Sequence, residues 1–227
     1  MDEGNWLTAR GRHKLCWSWD SSEGSPVALF VTSSALLTAK QIIGSNGEPH
    51  SLDVWNFVLG INLTGTFNLT RIACKYLVKV PPEGPDGERG LVIMVASSAA
   101  VRPRVVPHCP TPPADIILVV SQFEGQPGQA AYAATKGALV SMTLPMARDL
   151  ERFGVRVVTI APGAFITPMT NIMTKKTQAS ISRDLLFPRR MGEPHEFAQT
   201  VKWILECPYI NGETIRLSGG SRLPGKL

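Results

Sequence analysis

Apolar residues recur at helical spacing in the first clearly patterned part of the chain, residues 51–79. Ser51 suits the N-cap of a helix, and Asp53 places a negative charge in its first turn, where the helix dipole favours one. Pro81 and Pro82 stop the pattern. The apolar positions are Leu52, Trp55, Val58, Leu59, Leu63, Phe67, Ile72 and Leu77. The pattern predicts a long helix over residues 51–79.

Three shorter segments predict strands. Residues 91–95 are continuously apolar, which is typical of a strand covered on both faces. Residues 155–160 predict a second buried strand, and residues 214–217 predict a last one. Strands that are buried on both faces belong mainly to parallel sheets with helices on either side.

Two more helices are predicted between and after these strands. The first extends over residues 132–153, with Gly154 as its stop. Its apolar residues, which we assign to the core, are Leu139, Met142, Met146 and Leu150. The second has Pro194 in its first turn and ends near Glu206. The alternation of strands and helices predicts an α/β fold with a parallel sheet.

Two segments depart from this regular alternation. Residues 1–38 show neither helical nor strand periodicity, although residues 26–31 are compatible with a short strand. Residues 101–122 contain five prolines, namely Pro103, Pro107, Pro110, Pro112 and Pro113. Neither segment fits the alternating α/β pattern.

The bulk composition is that of a globular protein. The 227 residues can bury one sizeable core, and the longest apolar run in the irregular part falls far short of the roughly 20 residues that span a bilayer. The net charge of +5 comes from scattered Lys and Arg, so we expect no specific nucleic-acid partner and no membrane contact. The cysteines and histidines lack metal-ligand spacing, so we expect reduced thiols in an intracellular protein and no metal.

The pair Tyr132 and Lys136 is the strongest chemical signal. Four positions apart on the predicted helix, the two residues share one face. An ammonium group held beside a phenol lowers the phenol's pKa and leaves a proton acceptor usable near neutral pH. Ser97 follows the predicted strand 91–95, and Pro162 and Gly163 follow the strand 155–160. These flanking segments distinguish the pair from a chance spacing.

With these motifs the chain resembles the short-chain dehydrogenase/reductase family, and within it the enzymes that act on 3-hydroxyacyl-CoA. The resemblance implies an incomplete Rossmann-like, doubly wound parallel sheet in three layers, with residues 39–227 as the C-terminal part of the domain. It does not extend to residues 1–38 or 101–122. The segments that carry it are 123–132, 142–150, 160–168, 187–194 and 211–217.

The resemblance implies four catalytic residues. Tyr132 corresponds to the general acid and base, and Lys136 to the residue that lowers its pKa and binds the nicotinamide ribose. Ser97 corresponds to the donor that holds the substrate oxygen, with Ser98 as the alternative. Asn62 corresponds to the residue that opens its helix locally, so that a water can link the lysine to solvent.

The same resemblance implies the cofactor and the substrate. The cofactor is NAD, and the turn formed by Pro162, Gly163, Phe165 and Thr167 contacts the nicotinamide carboxamide, through Thr167 and the backbone at Phe165. Residues 168–190 correspond to a flexible lid over the acyl chain. The expected reaction, in fatty acid metabolism, is oxidation of the secondary hydroxyl group of a 3-hydroxyacyl-CoA, with hydroxysteroids as a further substrate class.

The family's glycine-rich phosphate-binding turn, T-G-x-x-x-G-x-G, is absent from the sequence. We therefore interpret residues 1–38 as an artefact of a misplaced start or exon, and expect the chain as written to be truncated and inactive. The alternative function is a non-catalytic protein or interaction scaffold that binds no dinucleotide. The family's residues that select NAD over NADP also have no counterpart in this sequence.

Residues 101–122 separate Ser97 from Tyr132 by 35 positions, whereas the family places about a dozen residues between them. The ends of this insert can be encoded by splice-site-like codons, so we interpret it as a retained intron. A real surface loop is the alternative, because loops tolerate long insertions. Sequencing the spliced transcript decides between them.

The resemblance also suggests an assembly and a compartment. Relatives form tetramers by packing their long helices, here 51–79 and 132–153, across two-fold axes, so we expect a homotetramer when the full domain is present. By resemblance the compartment is mitochondrial, with peroxisomal and cytoplasmic locations as alternatives.

Overall fold

A computed structural model describes residues 13–18, 28–34, 40–97, 127–167, 170, 182 and 185–221. The predicted insert, residues 101–122, lies outside the described residues, as does most of the predicted lid. The segment 1–38 is described only at two strands.

One five-stranded sheet forms the centre of the fold, with the strands side by side in chain order. Strands β2 to β5 are parallel, which confirms the predicted parallel α/β sheet, and β1 pairs antiparallel with β2 at one edge. The strands are β1 (His13–Ser18), β2 (Ala28–Ser34), β3 (Gly90–Val95), β4 (Val155–Pro162) and β5 (Thr214–Leu217).

The helices follow the predicted pattern with differences at their ends. The helix predicted over residues 51–79 is interrupted by a π-helical turn, and the helix predicted from residue 132 begins two residues earlier. Ser51 caps the first helix, its hydroxyl accepting a hydrogen bond from the Val54 amide at 3.5 Å. The helical segments are α1 (Leu52–Leu59), the π-turn (Gly60–Gly65), α2 (Thr66–Leu77), α3 (Ala130–Leu150), a 3₁₀ turn (Glu151–Phe153) and α4 (Pro194–Glu206).

Both faces of the sheet are covered by helices. On β3, Val92 and Met94 belong to the core beneath α2 and α3, whereas Leu91 and Ile93 belong to the core on the face covered by α4. All four side chains are fully buried. The arrangement confirms the three-layer, doubly wound architecture.

The positions of α3 and α4 make one crossover unusual. Strands β3, β4 and β5 are parallel neighbours, so the connections through α3 and α4 step across the sheet in the same direction. Because the two helices lie on opposite faces, the two crossovers have opposite handedness, and one of them is left-handed, which is rare. The connection between β4 and α4 extends from residue 163 to residue 193.

A buried guanidinium group holds the amino-terminal edge of the sheet to the end of α4. Arg156 on β4 donates its Nε proton to Glu88 Oε1 at 2.7 Å. Its remaining nitrogens donate to four carbonyl oxygens at the carboxyl end of α4 and just beyond it, those of Ile204, Leu205, Cys207 and Ile210. The guanidinium therefore satisfies carbonyl groups that a helix end leaves without intrahelical partners.

We expect Arg156→Met to lower the free energy of unfolding by about 3 kcal/mol or more, because it leaves the Glu88 carboxylate and several carbonyl groups without their partner. Chemical denaturation measures the effect. Lys202→Met is the control, since its 3.5 Å ion pair with Glu206 is exposed and the change should cost about 0.5 kcal/mol or less. The double variant Glu88→Gln/Arg156→Met should recover part of the loss. Equal effects of the two single variants would contradict this role for Arg156.

Candidate active site

Tyr132 and Lys136 lie on the face of α3 that packs against the sheet, and each is only 1% exposed. The Lys136 Nζ atom lies 5.7 Å from the centre of the Tyr132 ring. Nζ also donates a hydrogen bond to the Val95 carbonyl oxygen at 2.7 Å, at the last residue of β3. This bond fixes the tyrosine–lysine face of α3 at the carboxyl end of a central strand.

Ser97 comes two residues after the end of β3 and is fully buried. Its hydroxyl lies close enough to the Tyr132 phenol to lower the phenol's pKa, although burial has the larger and opposite effect. Within normal hydrogen-bond geometry the Ser97 oxygen has no partner among the described residues. Ser97 and Tyr132 therefore meet at one place.

Asn62 lies in the π-helical turn and is fully buried. Its Nδ2 atom donates to Thr135 Oγ1 at 3.4 Å, and that hydroxyl donates to the Tyr132 carbonyl oxygen at 2.7 Å. A π-turn widens a helix locally and is frequent at functional sites. The predicted local opening of the helix at Asn62 therefore has a structural counterpart.

Burial controls the protonation of the pair. Loss of hydration raises the pKa of Tyr132 above its ordinary value, and it lowers the pKa of Lys136 to about 7. The expectation that the ammonium lowers the phenol's pKa is therefore wrong for the chain without ligand. Both groups are so deeply buried that their uncharged forms are favoured over the attraction between them.

The turn after β4 is fixed by close packing. A Cβ atom on Gly163 would approach the Ser218 Cα atom to 2.9 Å, and one on Gly192 would approach the Phe165 ring to 2.6 Å. Thr167 donates its amide proton to the Thr170 hydroxyl at 2.7 Å. The predicted contacts of Phe165 and Thr167 with a carboxamide group remain a prediction.

The described residues fit one half of a nicotinamide dinucleotide better than the other. At the carboxyl end of β3, the buried Tyr132 and Lys136 suit the nicotinamide ribose half. The neighbour of β2 is the antiparallel strand β1, whose last residue, Ser18, pairs with Leu29 near the start of β2. The carboxyl end of β1 thus lies at the edge opposite to that where ligands bind in such sheets.

Two buried polar residues near these elements were not selected from the sequence. Thr32 on β2 and Gln129 before α3 are each 1% exposed, and their side-chain polar atoms have no hydrogen-bond partner among the described residues. Gln129 is the N-cap residue of α3, three residues before Tyr132.

Neither a metal centre nor a membrane span is found within the described ranges. No group of three or more His, Cys, Asp or Glu residues lies in positions that could hold a metal ion there. None of the helices described there is long and apolar enough to cross a bilayer.

Comparison with known proteins identifies similar sequences. The family described as "Enoyl-(Acyl carrier protein) reductase" matches residues 88–222. The 3-hydroxyacyl-CoA dehydrogenase type-2 of Rattus norvegicus is 41% identical over 176 residues, and that of Drosophila melanogaster is 40% identical over 196 residues. These alignments cover 78% and 86% of this chain, respectively. The chain spans 59% of the rat protein and 68% of the fly protein.

The fold of the chain is also similar to that of a solved structure. The 3-hydroxyacyl-CoA dehydrogenase type-2 of Mycobacterium avium superposes with a TM-score of 0.73 at 31% identity. The superposition covers 87% of this chain and 68% of that protein. The likeness therefore extends beyond the sheet to most of the described chain.

We expect the stability of the chain to rise with pH between about pH 7 and pH 10. In this range the unfolded chain still protonates Lys136, whose ordinary pKa is 10.5, whereas in the folded chain its pKa is lowered to about 7. The free energy of unfolding should therefore gain up to ~1.4 kcal/mol per pH unit from this one group. Above the ordinary pKa of Tyr132, 10.0, the buried phenol reverses the trend, because the folded chain then retains the proton.

Urea denaturation of Lys136→Met over the same pH range tests this expectation. The variant should lose the rise, and Lys79→Met, which removes an exposed lysine, should keep it. A rise of the same slope in all three proteins would contradict the lowered pKa of Lys136.

Proposed function

This chain belongs to the short-chain dehydrogenase/reductase family, and we propose that its protein oxidises the secondary hydroxyl group of a 3-hydroxyacyl-CoA with NAD as the oxidant. The substrate class is that named for the relatives from rat and fly. The observation that supports the proposal is the meeting of Ser97, Tyr132 and Lys136, all fully or almost fully buried, at the carboxyl end of β3.

In the proposed reaction Ser97 donates a hydrogen bond to the substrate oxygen. Tyr132, as phenolate, takes the hydroxyl proton while the carbinol carbon loses a hydride, and the product is a ketone. A bound NAD, held on its nicotinamide ribose side by Tyr132 and Lys136, would supply the acceptor for that hydride. Lys136 in its charged form favours the phenolate. Asn62 holds α3 in position through its hydrogen bond to Thr135.

The buried pair also explains why a ligand matters for this chemistry. In the chain without ligand, the raised pKa of Tyr132 keeps the phenol neutral, and the lowered pKa of Lys136 leaves the amine only partly charged near neutral pH. A bound group that hydrogen bonds to the phenolate and to the ammonium would favour both charged forms. Binding would thus prepare the proton acceptor.

A second function, a non-catalytic protein that binds no dinucleotide, is favoured by the antiparallel β1 beside β2. We propose that the 227-residue chain turns over no substrate with NAD, since the carboxyl end of β1 lies at the edge opposite to that where dinucleotides bind in such sheets. The substrate side of the site does not depend on β1, so the chain can still bind an acyl thioester.

We expect 3-hydroxybutyryl-CoA to raise the melting temperature of the 227-residue chain, and CoA without an acyl group to raise it less. A ligand at a hundred times its Kd stabilises a protein by about 2.7 kcal/mol. Tyr132→Phe should weaken the effect of the thioester and leave that of CoA unchanged. We expect no ketone product when NAD is added.

The outcomes separate the two functions. Melting temperatures that respond to neither the thioester nor NADH would favour the non-catalytic protein. A ketone product formed with NAD would contradict the proposed inactivity of this chain and support the dehydrogenase function directly.

We also propose a homotetramer, assembled through α2 and the outer side of α3. These helices expose large apolar side chains, among them Ile72, Tyr76 and Leu144, which are 42%, 56% and 45% exposed. Burial of such side chains between two copies would remove apolar surface from water.

Light scattering should then give four times the mass of one chain, and Tyr76→Glu should lower it by placing a charge in the interface. Tyr209→Glu is the control, because Tyr209 is 98% exposed and lies in the loop after α4. A monomer in the unsubstituted chain would contradict the assembly.

A further inference from the structure

The turn after β4 is joined to the chain that returns toward α4. The Gly192 amide donates to the Ala164 carbonyl oxygen at 2.9 Å, and the Ile166 amide donates to the Gly192 carbonyl oxygen at 2.8 Å. These two bonds place Phe165 opposite Gly192 in a parallel bridge. The Phe165 ring also meets the Phe197 ring of α4 edge-on, with the ring centres 6.0 Å apart. The position of Phe165 therefore depends on where the returning chain lies.

An ion pair fixes the returning chain on either side of Gly192. Arg190 donates from Nη1 to Glu196 Oε2 and from Nη2 to Glu196 Oε1, both at 2.8 Å. Glu196 Oε2 also accepts the Glu193 amide proton at 2.7 Å. One carboxylate in the first turn of α4 thus holds residues 190 and 193, and Gly192 lies between them.

The geometry of this pair distinguishes it from an ordinary surface ion pair. An exposed pair usually contributes little, but a bidentate guanidinium–carboxylate pair within a hydrogen-bond network is an exception. The hydrogen bonds from Arg190 lower the pKa of Glu196 from its ordinary 4.5 to about 2. The carboxylate therefore stays charged at neutral pH and well below it. The pair of Lys202 with Glu206 on the same helix has one contact at 3.5 Å and lacks this geometry.

We propose that Arg190 is a positioning residue for the nicotinamide end of the cofactor, acting through Gly192 on the turn at Phe165. The inference depends on the proposed function, because this turn contacts a carboxamide group only in a protein that binds a nicotinamide nucleotide. Arg190 acts without touching the nucleotide. It holds the turn in one position before the nucleotide binds, which lowers the entropic cost of binding.

Glu196 also has a structural role, as part of the capping box of α4, and two variants separate the roles. Arg190→Met removes the ion pair and leaves the cap intact. Glu196→Gln keeps an oxygen that can accept the Glu193 amide proton but removes the charge that pairs with Arg190. The Arg190 and Glu196 side chains are 46% and 30% exposed, so neither change leaves a fully buried charge, and both variants should fold.

Binding of reduced nicotinamide mononucleotide to the 227-residue chain, followed by the fluorescence of the nucleotide, tests the proposal. This probe contains the nicotinamide ribose half of the dinucleotide and lacks the adenosine half. Arg190→Met should weaken its binding roughly fivefold, the size expected when one well-formed ion pair is lost. The double variant Arg190→Met/Glu196→Gln should bind no more weakly than Arg190→Met, because both changes remove the same interaction. Lys202→Met is the matched control and should bind as the unsubstituted chain does.

Two further measurements distinguish positioning from a general loss of structure. The affinity for 3-hydroxybutyryl-CoA should be the same in Arg190→Met as in the unsubstituted chain, because the tyrosine–lysine face of α3 is held by a separate bond to Val95. Without ligand, hydrogen exchange at the Ile166 and Gly192 amides should be roughly fivefold faster in Arg190→Met. Exchange at the amides of β4 should be unchanged.

Each other result counts against a specific statement. Equal affinities of Arg190→Met and the unsubstituted chain for the mononucleotide would overturn the role of Arg190 and leave the proposed function in place. Weaker binding of the mononucleotide and the thioester alike would show a structural role instead. Binding of the thioester but not of the mononucleotide by the unsubstituted chain would also overturn the inference. Failure to bind either ligand would overturn the proposed function and this inference with it.

Discussion

The hydrogen bond from Lys136 Nζ to the Val95 carbonyl oxygen holds the rest of the site in position. It ties the middle of α3 to the last residue of β3, at 2.7 Å and away from solvent. Tyr132, one turn before the lysine, is thereby brought to the carboxyl end of the strand that Ser97 follows. The cost is a lysine whose pKa is lowered to about 7, a cost that a protein folded for stability alone would avoid.

The site residues and the carboxyl end of β1 lie at opposite edges of the sheet. Strands β2 to β5 are parallel and direct their carboxyl ends to one edge, where the reacting side chains meet. The antiparallel β1 fills the position beside β2 and satisfies its backbone groups, yet its own carboxyl end lies at the other edge. The strand that completes the hydrogen bonding of β2 therefore runs opposite to the four parallel strands.

Local sequence patterns predicted the elements whose partners are near in the chain or whose burial is complete, such as β3, β4 and α4. The spacing of Tyr132 and Lys136 and the family resemblance at Ser97 and Asn62 pointed to four residues that the fold brings together. Local patterns did not predict β1, because its strand is defined by pairing with β2 rather than by its own periodicity. The direction of the Tyr132 pKa was missed for a related reason. Spacing on a helix says which groups are neighbours but not how far both are removed from water.

The site also contains buried polar side-chain atoms that have no partner among the described residues. Ser97 and Gln129 together bury three polar side-chain atoms without partners among the described residues. The chain that leaves the site after β4 is locked where it departs and where it returns, by the ladder contact of Phe165 with Gly192. Such a site has fixed walls and hydrogen-bonding groups without partners. It recognises a ligand that supplies those partners. Its selectivity then follows from the positions of those unmet groups, which the packing of α3 on β3 determines.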